Sequence, residues 1–249
     1  MSAVRFVPVI ALIIGGCGEA SPPPQHIQAW VKEWGEMGMY LPSDEQIDFI
    51  RANLSDVTPE LSAALNHNNP DVRQRAAYVI EKIGPVAKSL GPDLVRRFAI
   101  EKERLVRIYL VNAIGRINFQ DQTAAKLLRA HFDTLSFENS APQLFGGYAD
   151  VDEKINVAAA LFNQTSNKDR DKYFDFVTKW LQPPDPKFSQ TELAGYWERR
   201  WMAVIALEDM SQASAAIPLL EAMLKEPNPK EWVSIHVPRV IAALKRSGT

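Results

Sequence analysis

One helical pattern occurs repeatedly along this chain with a fixed internal spacing. Apolar residues follow one another by three or four positions, which places them on one stripe of a helix. The first two copies are Val72-Arg73, Ala76, Ile80 and Ile83, and, 34 residues later, Val106-Arg107, Leu110, Ile114 and Ile117. Because one helix pair cannot bury such a stripe alone, a repeat of this length predicts helices that stack on their neighbours.

The second half of the chain carries the same pattern. Arg199-Arg200, Ala203, Leu207 and Met210 are followed 34 residues later by Val233-Ser234, Val237, Ile241 and Leu244. A middle copy starts at Glu153-Lys154, 47 residues after the second copy and 46 before the fourth. We therefore expect five such helices, with insertions in the middle repeats. Each has a predicted partner helix upstream, at 59–66, 92–101, 121–132, 170–181 and 214–225.

Helix start and stop signals divide the chain further. Ser43, with Glu45 and Gln46 near the third helical position, predicts the start of a helix that runs to about residue 54. Thr58-Pro59 and Asn69-Pro70 each combine a capping side chain with proline at the first helical position. Gly84-Pro85 predicts a helix end. An earlier helix is expected over 26–39, and Pro238 should kink or delay the last helix.

Two segments resemble a known repeat family. Residues 65–77, LNHNNPDVRQRAA, resemble the HEAT-repeat signature, and residues 215–224, AAIPLLEAML, are similar to a HEAT first helix. The resemblance covers about residues 58–247 and implies an all-α fold, a right-handed α–α superhelix of about five helix pairs. Residues 26–57 would then supply N-terminal capping helices. An irregular helical bundle and the armadillo and TPR solenoids are the alternatives.

The same resemblance implies a role for the basic residues of the repeated frame. HEAT families often use this position for an ion-pair ladder between repeats. Here it holds Arg73, Arg107, Lys154 and Arg200, while the last copy departs from the family with Ser234. The alternative is a basic stripe on the concave face that binds an acidic partner.

The N-terminus has the three parts of an export signal. Arg5 lies in a short positive region, residues 6–14 are apolar, and Gly15-Gly16 precede the lone cysteine, Cys17. The apolar run is far shorter than the roughly 20 residues that a membrane-spanning helix needs.

Ile14-Gly15-Gly16-Cys17 resembles the lipobox of bacterial lipoproteins. This implies recognition of the first three residues by signal peptidase II, removal of residues 1–16, and lipid on Cys17. Residues 17–25 would form an extended, lipidated tether. Gly18 in place of Asp favours the periplasmic face of the outer membrane, by resemblance to enteric lipoproteins. An ordinary secretory signal or an uncleaved anchor is the alternative.

Composition and motifs narrow the function classes. A net charge of −2 argues against nucleic acid as a partner, and a single cysteine leaves no disulfide within the chain. The four histidines are far apart, and no metal-binding, nucleophile-elbow or phosphate-loop motif occurs. We therefore predict no catalytic residue, no metal and no cofactor, and hence no enzyme.

Two stretches are candidate contacts for a protein partner in the envelope. Trp197 and Trp201 share a helix face beside Arg200, and the loop 136–150 carries Phe145 and Tyr148. Burial in the core is the alternative for both sets. The sequence thus favours a lipid-tethered HEAT-repeat scaffold. The alternatives are a glycan or small-ligand binder and, less favoured, an enzyme subunit of HEAT-like lyase type.

Overall fold

The computed structural model describes residues 23–36, 41–135, 150–165, 167–210, 213–227 and 229–247. Across these ranges the chain is helical, without a β-strand, as the spacing of apolar residues predicts. The α-helices are α1 (Pro23–Glu36), α2 (Asp44–Ala52), α3 (Leu54–Leu65), α4 (Pro70–Ile83), α5 (Gly91–Ile100), α6 (Arg104–Arg116), α7 (Gln122–Thr134), α8 (Asp150–Gln164), α9 (Asn167–Thr178), α10 (Gln190–Asp209), α11 (Ile217–Leu224) and α12 (Glu231–Ser247). Short 3-10 segments cover Gly84–Leu90, Lys179–Leu181 and Ser214–Ala216.

The helices form a solenoid-like stack of pairs. The helices of the repeated frame are α4, α6, α8, α10 and α12, and each packs against the next along this row. Their upstream partners are α3, α5, α7, α9 and α11. Five pairs with α1 and α2 before them confirm the predicted all-α architecture.

The aligned apolar positions form the core of the stack. They are almost completely buried in all five copies, as Val72, Ala76, Ile80, Val106, Leu110, Ile114, Val157, Leu161, Ala203, Leu207, Val237 and Leu244 show. Because each row helix packs against a neighbour in the row and against its upstream partner, its apolar stripe is covered and the core continues from pair to pair.

Several predicted helix boundaries are confirmed by their hydrogen bonds. The Ser43 hydroxyl accepts from the backbone N–H of Gln46 at 3.2 Å, and the Gln46 side chain accepts from the N–H of Ser43 at 3.1 Å. Asn69 accepts from the N–H of Asp71 at 2.9 Å, with Pro70 at the first helical position. Gly84 follows α4 with a φ of 77°, a conformation that costs glycine little.

The prediction that Thr58-Pro59 starts a helix is wrong. Both residues lie inside α3, where the Thr58 hydroxyl donates to the carbonyl of Leu54 at 2.7 Å. Val57 and Leu61 are fully buried four residues apart, so packing of this face outweighs the backbone hydrogen bond that Pro59 cannot donate. The predicted domain boundary between residues 57 and 58 therefore falls within a helix.

The two ends of the described chain also differ from expectation. α1 begins at Pro23, so residues 23–25 of the predicted extended tether are helical, with prolines in the first turn. Within the described residues this helix extends to Glu36, and the rest of the predicted span, to residue 39, lies outside them. α12 begins at Glu231 and runs through Pro238, which therefore does not delay the helix.

Candidate functional site

The frame arginines join consecutive helix pairs. Arg73 donates from Nε and Nη2 to the two carboxylate oxygens of Glu101, just after α5, at 2.8 and 2.9 Å. Arg107 on α6 donates to both oxygens of Glu153 on α8, at 2.9 and 3.3 Å. Arg200 on α10 pairs with Glu226, just after α11. These contacts form the expected ion-pair ladder instead of a basic stripe on the concave face.

Lys154 departs from this ladder. Its ammonium donates to the backbone carbonyl of Leu135 at 2.9 Å and lies 4.4 Å from the centre of the Phe132 ring. The preceding residue, Glu153, is the one that accepts from Arg107. Lys154 therefore faces a different surface from the frame arginines.

Two ladder carboxylates, Glu101 and Glu153, are buried and hydrogen-bonded. Burial alone would raise the pKa of Glu101, but hydrogen bonds from Arg73, Arg97 and the N–H of Glu103 lower it to about 2. Burial opposes ionisation of Glu153 too, yet hydrogen bonds from His131 at 2.7 Å and from Arg107 lower its pKa. Both groups stay charged at neutral pH, with their oxygens held by structural partners.

A polar cluster lies near the C-terminal ends of the row helices. Its members Lys82, Arg116, Asn163 and Asp209 each follow the basic frame position by nine residues. Arg116 on α6 donates to Asp209 on α10 at 2.7 Å, and the Asn163 amide donates to the carbonyl of Asp209 at 2.6 Å. In the row, α8 lies between α6 and α10. The contact between Arg116 and Asp209 therefore shows that the row bends at this point and brings these ends of α6 and α10 together.

The polar cluster borders a cavity of about 310 Å³. Arg116, Asn163, Glu208 and Asp209 line it together with apolar atoms, and Glu208 is paired with Arg239 at 2.8 Å. Burial raises the pKa of Asp209 to about 7, despite the opposing charge of Arg116, and the charges of Glu81 and Glu208 raise it as well. The cavity thus contains a carboxyl group that titrates near neutral pH.

Folding stability should therefore fall as the pH rises from about 4 to about 7. In this window the unfolded chain has lost the Asp209 proton, whereas the folded chain keeps it. Above pH 7 both states are ionised and the effect levels off. Urea unfolding followed by circular dichroism across this range would measure it. Asp209→Asn is the reference, because an amide at this position cannot titrate: the variant should show a flatter profile, and parallel profiles would contradict the assignment.

A second surface combines tryptophans from α10 and α12. The rings of Trp197 and Trp232 meet edge to face with centroids 6.5 Å apart, and Trp201 meets His236 in the same way at 6.5 Å. All four side chains are partly exposed, and Ile235 beside them is 60% exposed. We call Trp197, Trp201, Trp232, Ile235 and His236 the tryptophan face.

The prediction that Arg200 contacts a partner is wrong. Its side chain is fully buried, donates to Glu226 and to the carbonyl of Leu181, and lies 5.0 Å from the Trp197 ring. Its place in the ladder turns it inward, while Trp197 and Trp201 reach the surface. Sequence reasoning missed Trp232, Ile235 and His236. The 34-residue shift was a usable signal, because it maps Trp201 onto Ile235.

The other predicted site residues lie outside the described residues. They are Ile14, Gly15, Gly16, Cys17, Phe145 and Tyr148. Within the described ranges, no helix is long and apolar enough to cross a membrane. The same ranges contain no group of three or more His, Cys, Asp or Glu residues placed to bind a metal ion.

Comparison with known proteins adds little to this picture. No protein-family model matches the chain, and no curated protein is recognisably similar to it. Among solved structures, the chain is similar to an engineered protein from the Northeast Structural Genomics Consortium. The two share 15% sequence identity over 92% of this chain and 94% of that chain, with a TM-score of 0.43.

Proposed function

We propose that this protein is a membrane-tethered HEAT-repeat lipoprotein that acts as an interaction scaffold in the bacterial cell envelope. The export signal and lipobox-like residues before Cys17 support the tether. The stack of helix pairs supports a scaffold, since such arrays present long continuous surfaces. The tryptophan face is the observation that carries the proposal.

The composition of this face matches the centre of a protein interface. Tryptophan is enriched among the residues that contribute most to binding. Its large ring removes much apolar surface from water when it is buried, and the side chain loses little conformational entropy. Charged residues surround the face, among them Glu198, Lys230 and Glu231, as at the polar rim of an interface. The partner is therefore expected to offer an apolar surface at the periplasmic side of the membrane.

Ile235→Asp is expected to abolish capture of an envelope protein by crosslinking in native membranes. The carboxylate would need to be desolvated at the centre of the interface. The matched control is Ile100→Asp at the end of α5, where the isoleucine is 65% exposed. Both variants should fold with stabilities close to wild type.

Quantitative mass spectrometry of the crosslinked material separates the outcomes. Loss of one stoichiometric partner in Ile235→Asp alone would support the proposal. Equal capture by both variants would remove the tryptophan face as the binding surface. If the wild-type protein sediments with purified peptidoglycan and Ile235→Asp does not, the tryptophan face binds glycan instead.

Cys17→Ser is expected to release the protein from the membrane fraction, because the lipid-bearing sulfur is lost. Gly18→Asp is the matched control: it keeps the sulfur, so the protein should stay membrane-bound. By resemblance to enteric lipoproteins, this control should also shift the protein from outer to inner membrane. Fractionation followed by immunoblotting measures both effects. Retention of Cys17→Ser on membranes would argue for an uncleaved anchor and against lipidation.

A further inference from the structure

A groove runs between α1 and α3, in the first part of the stack. Its volume is about 330 Å³, and small apolar side chains form most of its lining, with three longer polar ones. The apolar residues are Val31, Pro59, Ala63 and Ala64, and the polar residues are Gln28, Glu60 and His67. We call it the α1–α3 groove. Such a lining suits an aliphatic chain, and the polar groups select what that chain carries.

Both walls of the α1–α3 groove are fixed by the core. Ile27 and Trp34 on α1 are fully buried, and so is Leu61 on α3. The side-chain amide of Asn69 donates to the carbonyl of Gly35 at 3.3 Å, which joins α1 to the start of α4. The groove therefore exists before any ligand arrives, and binding does not have to order its walls.

The carboxylate of Glu60 has no partner among the described residues. Its Oε2 atom is shielded from water and accepts no hydrogen bond, and the group enters no ion pair. Lys32, the lysine of α1, is exposed and is not bound to it. Asp56, one turn earlier on α3, adds a second negative charge on the same side of this helix. A half-shielded carboxylate without a counter-charge attracts a cation.

His67 offers a hydrogen-bond donor at another point of the lining. Its Nδ1 accepts from the backbone N–H of Asn69 at 3.1 Å, so the neutral ring carries its proton on Nε2. Seven residues separate His67 from Glu60, which corresponds to about 10 Å at the helical rise. An ammonium and a carbonyl joined by an aliphatic stem complement these two groups, and a lysine residue has all three parts.

We propose that the α1–α3 groove binds a lysine side chain of a polypeptide partner. The ammonium pairs with Glu60, and the four-carbon stem covers Pro59 and Ala63. The backbone carbonyl of that lysine accepts from Nε2 of His67. The groove lies on α1 and α3, whereas the tryptophan face lies on α10 and α12, so this inference depends neither on that face nor on the lipid tether.

Titration of the full chain in neutral detergent with Nα-acetyl-lysine amide tests the site. Methyl NMR signals of Ala63 and Ala64 report occupancy at constant ionic strength, and the exposed Ala215 is the reference. We expect saturable shifts of the first two signals only, with a dissociation constant in the millimolar range. Nα-acetyl-norleucine amide, which lacks the ammonium, should bind about tenfold more weakly. n-Pentylamine, which lacks the carbonyl, should also bind more weakly.

Three variants locate the ammonium. Glu60→Gln keeps the shape of the side chain but not its charge, so affinity for the lysine probe should fall about tenfold. Its melting temperature should not fall, because the carboxylate has no partner to lose, and this separates lost binding from lost fold. Glu33→Gln makes the same change on α1 outside the groove lining and should bind like wild type. Lys32→Gln should bind no more weakly than wild type, because it removes a competing ammonium.

Each remaining outcome counts against the proposal. Equal binding of the lysine and norleucine probes would show that the groove recognises only the apolar stem. Unchanged affinity in Glu60→Gln, or the absence of shifts at Ala63 and Ala64, would overturn the site. If n-pentylamine binds as tightly as the lysine probe, the groove takes free amines, and the assignment to a polypeptide partner is wrong.

Discussion

Leu110→Asp is expected to abolish the cooperative thermal unfolding transition of this protein. Leu110 is fully buried on α6, which packs between α4 and α8. An aspartate there would place an unpaired charge in the core, at a cost of several kcal/mol. Since domains of this kind are stable by only about 5–15 kcal/mol, one such change can remove the folded state.

Leu105→Asp is the matched control, because this leucine lies on the same helix and is 37% exposed. Its carboxylate can stay hydrated, so the melting temperature should change little. Circular dichroism melts of both variants make the comparison. A normal melting curve for Leu110→Asp would place this residue outside the core and break the alignment of the five row helices.

Arg73→Ala is expected to lower the free energy of unfolding by about 3 kcal/mol. The Glu101 side chain, only 1% exposed, would lose two hydrogen bonds and one of its two arginine partners, with Arg97 remaining. Arg96→Ala removes another arginine of an ion pair, with Asp93, but that arginine is 73% exposed. Its loss should cost less than about 1 kcal/mol. Chemical denaturation of the two variants measures the difference.

The pH dependence distinguishes a lost ion pair from a simple packing defect. The pKa of Glu101 is lowered in the folded protein. Its ion pair therefore contributes fully to the free energy of unfolding above the ordinary glutamate pKa of 4.5, and this contribution is lost as the pH falls toward 2. The stability gap between wild type and Arg73→Ala should therefore narrow in this window. A gap that is independent of pH would contradict the assignment. The double variant Arg73→Met with Glu101→Leu should recover part of the lost stability, because the buried carboxylate is removed together with Arg73, and only the partly exposed Arg97 loses its partner.

Local patterns in the sequence were sufficient for the helices and their pairing. The spacing of apolar residues, repeated after 34 positions, identified the five row helices, since a buried stripe requires this period. Caps at Ser43 and Asn69 and the glycine at Gly84 marked helix boundaries, because their chemistry acts within a few residues. The exception, Thr58-Pro59, shows where burial of Val57 and Leu61 outweighs a local signal.

Contacts between distant residues required the tertiary structure. Arg116 and Asp209 meet across two helix pairs, and Trp232 joins Trp197 from the next pair, although neither meeting has a signature in the local sequence. The same holds for Arg200, whose burial depends on where Glu226 comes to lie. Helical period decides which residues share a face of a helix. The curvature and packing of the stack decide which faces meet, which charges are buried and which tryptophans remain exposed to solvent.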